Sequence, residues 1–267
     1  MLSRTSLRFS LIQNGMLALG ILISSDVAHA NSLLQNMNFQ NWYVGANVGT
    51  SMPTLSNNSS VVVPAVSDVV PQGTAHTTSV SGAMAFSVDF GAQFGIAHAA
   101  PTAWFNYYRL GLRYQNQLAE KLSGHGSLGN SPTTDDVYNY TYQAQTQFIL
   151  LDSALGLYDW RKVTSYLHLG FGMANTSATN YSETPTSQFP YKDSYAFSNG
   201  SSSAMVGVVG LGLDYVIHKN WHAVLSYDYF MPVKAKLGTG TFQGTSLTGP
   251  QASVGNQTIS LGVRYQF

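Results

Sequence analysis

Eight stretches of the chain alternate large apolar side chains with small or polar ones at every second position, a periodicity that belongs to β-strands with two unlike faces. In the first, 42–49, Trp42, Val44, Ala46 and Val48 fall on one face and Tyr43, Gly45, Asn47 and Gly49 on the other. The second sets Met84, Phe86, Val88, Phe90 and Phe94 against Ala85, Ser87, Asp89, Gly91 and Gln93. In the third, Tyr108, Leu110, Leu112 and Tyr114 oppose Arg109, Gly111, Arg113 and Gln115. Segments around 138–157, 166–173, 209–215 and 221–229 repeat the arrangement, placing Asp152, His168, Asp214 and Asp228 on the face of small residues. The last is the most regular: Ile259, Leu261, Val263, Tyr265 and Phe267 alternate with Ser260, Gly262, Arg264 and Gln266. Strands of this kind suit a wall with lipid on one side and a polar lumen on the other.

Composition favours that wall, with a soluble lipocalin-like barrel as the remaining architectural rival. Only 9% of the residues are charged, against roughly 25% in an ordinary soluble domain. Mean hydropathy is nonetheless close to zero, and past residue 30 no apolar run has the roughly 20 residues of a membrane helix. The expected fold is therefore all-β: an eight-stranded antiparallel up-and-down transmembrane β-barrel. A formal charge of +0 argues against a nucleic-acid partner, which needs a basic patch to meet phosphates. With no Cys, disulfide frameworks, thiolate metal sites and cysteine nucleophiles are excluded.

Residues 1–30 read as a signal peptide. Arg4 and Arg8 precede an apolar stretch from Met16 to Ile23, and Ala28-His29-Ala30 has the small-x-small form of a cleavage site. Cleavage is expected after Ala30, which leaves 31–267 as one barrel domain with a near-zero charge balance. Predicted links alternate in length as outer-membrane barrels require. Those at about 95–103, 159–162 and 218–220 are short, whereas those at about 51–79, 119–137, 177–199 and 237–255 are long and rich in Ser, Thr, Asn, Gly and Pro. All four Trp (Trp42, Trp104, Trp160 and Trp221) fall at the short-link end, where they would form a periplasmic aromatic girdle. Tyr138, Tyr140, Tyr142, Tyr229 and Phe230 lie nearer the long links and are expected to form the outer girdle.

Residues 41–49, 210–215, 220–229 and 260–267 resemble the eight-stranded OmpA-like and opacity-type outer-membrane barrel proteins. The resemblance covers the mature chain and specifies architecture better than activity. It implies a Gram-negative-type outer membrane as the location, with outer-membrane lipid and the barrel-assembly machinery as partners. In that family the terminal aromatic and the alternating residues before it serve as the insertion signal, and Tyr265 and Phe267 match it. The sequence ends at the last barrel segment, so the resemblance to full-length OmpA does not extend to a peptidoglycan-binding domain.

The inward face carries Asp89, Asp152, Asp214 and Asp228 beside Arg109, Arg113 and Arg264. Eight strands enclose a space that side chains just fill, so these charges are expected to pair into a polar plug; the alternative is a narrow conduit for small or apolar solutes. A lipid-modifying enzyme would need a nucleophile, a base and an orienting acid together. His168, Ser165 and Asp152 are the candidates, but Ser165 faces away from His168 by strand parity, and Glu120 and Glu183 fall in predicted loops. No catalytic, cofactor or metal site is expected, since His76, His98, His125, His218 and His222 show no metal-ligand spacing. The long loops remain as a surface for a ligand or host partner; Val61-Val62-Val63-Pro64-Ala65-Val66 is an apolar run that could grip one or fold on itself.

Overall fold

The computed structural model describes residues 37–57, 60–63, 73–96, 105–128, 136–185, 197–242 and 245–267. The signal segment 1–30, Trp104 and His98 lie outside them, as do residues 64–66 of the first loop's apolar run, whose Val61, Val62 and Val63 belong to a strand. The described residues form twelve strands and no helix: β1 (Met37–Asn57), β2 (Ser60–Val63), β3 (Gly73–Val80), β4 (Ala83–Ile96), β5 (Tyr107–Leu128), β6 (Asp136–Trp160), β7 (Val163–Pro185), β8 (Gly200–His218), β9 (Trp221–Lys236), β10 (Gly240–Phe242), β11 (Thr245–Leu247) and β12 (Gln251–Gln266).

Eight of them close a ring. Going round it, β1, β4, β5, β6, β7, β8, β9 and β12 pair antiparallel with their neighbours, and β12 returns to β1 from Tyr43↔Gln266 to Leu55↔Val254. This is the predicted eight-stranded up-and-down barrel, and closure removes the unpaired edges that no lipid-facing sheet tolerates. β3 continues the wall beyond β4 by pairing with β5, and β2 folds back on β3. At the short-link end, Arg161-Lys162 joins β6 to β7 and Lys219-Asn220 joins β8 to β9. Arg161 and Lys219 take positive φ, of 58° and 35°, the sense that matches strand twist in two-residue hairpins.

The outer surface carries an apolar belt that includes Val44, Val48, Phe86, Phe90, Leu112, Ile149, Leu151, Phe171, Leu211, Leu225 and Leu261, all exposed. Along β6 it runs from Ile149 to Trp160, roughly 25–30 Å for a strand tilted about 40°. Trp42, Trp160 and Trp221 are exposed at one end of the belt. Leu211 sits mid-belt on β8, so Leu211→Arg is expected to cost about 2–4 kcal/mol. The same change at Ser201, outward on β8 beyond the belt, should leave the urea midpoint of vesicle-folded protein unmoved.

Beyond the belt the strands continue, where the sequence predicted loops. β5 reaches Leu128, β6 begins at Asp136, and β7 extends to Pro185. The wall's polarity inverts there. On β6, Tyr138, Tyr140, Tyr142 and Ala144 are buried in the lumen while Asn139 and Gln143 face out; past Phe148, Ile149 and Leu151 face out and Asp152 faces in. On β9, Val233 and Ala235 face in and Lys234 and Lys236 out. This corrects the expected outer girdle: Tyr138, Tyr140, Tyr142 and Phe230 are interior residues, and of those five only Tyr229 faces outward. The physical reason is that a wall projecting past lipid meets water on its outside, so its large apolar groups turn inward as in a soluble barrel.

Candidate lumenal site

Strand parity places Arg109 and Arg113 on one inward row of β5, and closure brings acids from β4, β6, β8 and β9 around them. Arg113 is the hub. Its Nη2 lies 2.9 Å from Asp152 Oδ2 and its Nη1 lies 3.2 Å from Asp228 Oδ2, so one guanidinium bridges strands on different sides of the ring. His168 on β7 closes the same square: Nδ1 is 3.1 Å from Asp152 Oδ1, and Nε2 contacts Asp228 Oδ1. An imidazolium donates through both nitrogens. In that form His168 joins Arg109, Arg113 and Arg264 to set four cations against Asp89, Asp152, Asp214 and Asp228.

Nearer the short turns, Asp214 is shared. Arg109 Nη1 lies 3.0 Å and Arg264 Nη1 2.7 Å from its Oδ2, while His222 Nδ1 is 2.7 Å from its Oδ1. Arg264 Nε stands 3.6 Å from Asp89 Oδ2, and Asn47 donates to Asp89 Oδ1 at 3.2 Å. The Arg109 guanidinium is held between the rings of Tyr107 and Tyr166, 4.8 and 4.7 Å from their centroids, and also donates to the Tyr107 hydroxyl. Arg264 lies over Tyr43 at 5.2 Å. Gly210 leaves room for this packing, because a Cβ there would stand 2.1 Å from His168 Nε2 and 2.5 Å from Asp228 Oδ1.

The seven charged residues named from the sequence are therefore all buried and all in ion pairs. Sequence reasoning left out of this network His168, treated only as a catalytic candidate, together with His222, Tyr43, Tyr107 and Tyr166. Their inward parity was legible; their partners were not. Ser165 sits apart from His168 and Asp152, with its Oγ toward the Tyr158 carbonyl.

Above the plug the lumen is divided. One wall is polar: Ser51 Oγ lies 2.9 Å from Glu120 Oε1 and 2.8 Å from Asn256 Oδ1, and Asn256 Nδ2 donates to Gln117 Oε1 at 2.8 Å. Glu120 thus belongs to β5 and is buried, and Glu183 belongs to β7, where it accepts from the Tyr181 hydroxyl; neither is a loop residue as expected. The facing wall is apolar, with Phe148, Leu150, Ala174, Val206, Val208, Phe230 and Val233 packed together. Higher still, Leu122, Tyr138, Tyr140, Tyr142, Leu237 and Val254 form a second apolar cluster, and the Tyr140 hydroxyl is tied to Thr77 at 2.9 Å. Tyr265 and Phe267 stack beside the closing seam, 6.1 Å between ring centroids.

Among solved structures the chain is similar to the outer membrane protein OprG from Pseudomonas aeruginosa, at 13% identity over 87% of this chain and 98% of that one, with a TM-score of 0.49. It is also similar to Ail, the attachment invasion locus protein of Yersinia pestis, in complex with the heparin analogue sucrose octasulfate (13% identity, 85% and 99% covered, TM-score 0.40). A third is the outer membrane protease OmpT from Escherichia coli (12% identity, 86% and 98% covered, TM-score 0.41). No family model and no curated protein sequence matches the chain.

Proposed function

We propose that the chain is exported, loses residues 1–30, and lies in the outer membrane of a Gram-negative-type cell as a non-catalytic barrel with a structural or surface-interaction role. The observation that carries this reading is the plug: Arg109, Arg113 and Arg264, paired to Asp89, Asp152, Asp214 and Asp228, occupy the lumen near its short-turn end. A lumen filled by mutually paired side chains supports a rigid platform more than a pore. In this orientation Trp42, Trp160 and Trp221 mark the periplasmic interface, and the projecting wall meets the medium and any surface ligand. Tyr265 and Phe267 serve as the insertion signal for the assembly machinery. His168 has both ring nitrogens against carboxylates, which supports a positioning rather than a catalytic part.

A second reading, a narrow passive conduit for small or apolar solutes, is favoured by the apolar clusters lining the lumen above the plug. Planar-bilayer recording separates the two. The plug reading expects no reproducible unitary conductance from wild-type protein and discrete openings once Arg109 and Asp214 are both replaced by Ala. A reproducible wild-type open state, abolished by Arg109→Ala or Arg264→Ala, would overturn it in favour of the conduit.

A further inference from the structure

His76 and His125, remote in sequence, stand directly opposite each other in the antiparallel register of β3 and β5. Both lie on the outer face of the projecting wall: their neighbour Thr77 points into the lumen to meet Tyr140, and Gly124 and Gly126 occupy the inward positions on either side of His125. Their ring centroids are 6.0 Å apart with planes inclined at 44°.

That separation has a chemical meaning. With a metal–nitrogen bond of about 2.0–2.1 Å, the centre of a ligating imidazole ring lies about 3.2 Å from the ion. Two rings sharing one ion then have centroids between about 4.5 Å for a right angle at the metal and about 6.4 Å for a linear one. The observed pair falls inside this interval, on two strands already locked in register. Asn139 on β6, opposite His125 on its other side and also facing outward, offers an amide oxygen in the same row.

We propose that His76 and His125 form a two-imidazole site for a late first-row divalent ion, Cu²⁺ or Zn²⁺, on the outer wall beyond the apolar belt. Imidazole suits these ions, and the order of affinities puts Cu²⁺ first. The chain has no Cys to compete as a softer ligand. Among the described residues no group of three or more His, Cys, Asp or Glu is placed to hold a metal, so the two imidazoles are the ligands assigned to this site. An ion held there links β3 to β5, and through β3 fastens the β2–β3 hairpin to the barrel wall.

The test is a Cu²⁺ titration of the tag-free mature chain folded in detergent, followed by calorimetry and electron paramagnetic resonance. One equivalent is expected, with superhyperfine splitting from two equatorial nitrogens. His76→Gln and His125→Gln should each weaken binding at least tenfold and reduce the pattern to one nitrogen, and His218→Gln, at the end of β8 on the opposite side of the belt, should change neither. Heat-modifiable electrophoresis verifies that each variant is folded. A one-nitrogen signal in the wild type, or unchanged affinity in both single variants, overturns the site.

Discussion

Arg113→Leu is expected to lower the unfolding free energy by about 3–5 kcal/mol, the range for removing one partner of a buried ion pair and stranding the other. Arg113 is an extreme case because its loss strands two carboxylates, Asp152 and Asp228, whose other side-chain partners among the described residues are His168 and the Ser226 hydroxyl. Urea unfolding of vesicle-folded protein, followed by Trp fluorescence, measures the loss. Arg113→Lys should recover only part of it, since an ammonium is a point charge that cannot reach both carboxylates with a fork. Adding Asp228→Asn to Arg113→Leu should recover part as well, by removing one of the stranded charges. A loss below about 1 kcal/mol, the level of solvent-screened pairs, would mean that water reaches the plug and that it is no seal.

Phe148→Ala should cost about 3–5 kcal/mol for a different reason. Phe148 is fully buried against Phe230, with ring centroids 4.6 Å apart, and Leu150, Val206, Val208 and Val233 complete the cluster. Truncation leaves a cavity in the lumen that rigid, hydrogen-bonded strands cannot collapse to fill. The same unfolding measurement applies, and a double-mutant cycle with Phe230→Ala should give a coupling of about 0.5–1.5 kcal/mol for the aromatic pair. Phe148→Ala within about 0.5 kcal/mol of wild type, the scatter of surface substitutions, would show that this half of the lumen is already open to water.

The two variants probe the parts of the lumen that differed most in legibility. Inside the belt, lipid outside and charge inside make parity diagnostic, so Asp89, Arg109 or Arg264 could be assigned to the interior from its position alone. At Phe148 the rule reverses. Tyr138, Tyr140 and Tyr142 alternate with Asn139, Thr141 and Gln143 as cleanly as any belt segment. They read as an outer girdle only when the belt's sense of alternation is extended past the point where lipid ends. Glu120 and Glu183 read as loop residues for a related reason: Ser, Thr, Asn and Gly on a water-facing surface look the same in a strand as in a turn.

What the sequence determined by itself is which faces exist: a period of two, the side each charge takes within the belt, the number of strands in the ring, and the positions of the tight turns at 161–162 and 219–220. These are local quantities, set by alternation at neighbouring positions and by the medium each face meets. Partnership was decided by tertiary structure alone. That Arg113 bridges Asp152 to Asp228, that Asp214 serves both Arg109 and Arg264, and that His76 meets His125 across β3 and β5 all depend on register and ring closure. Those follow from strand tilt and stagger around the whole circumference, which no single segment encodes.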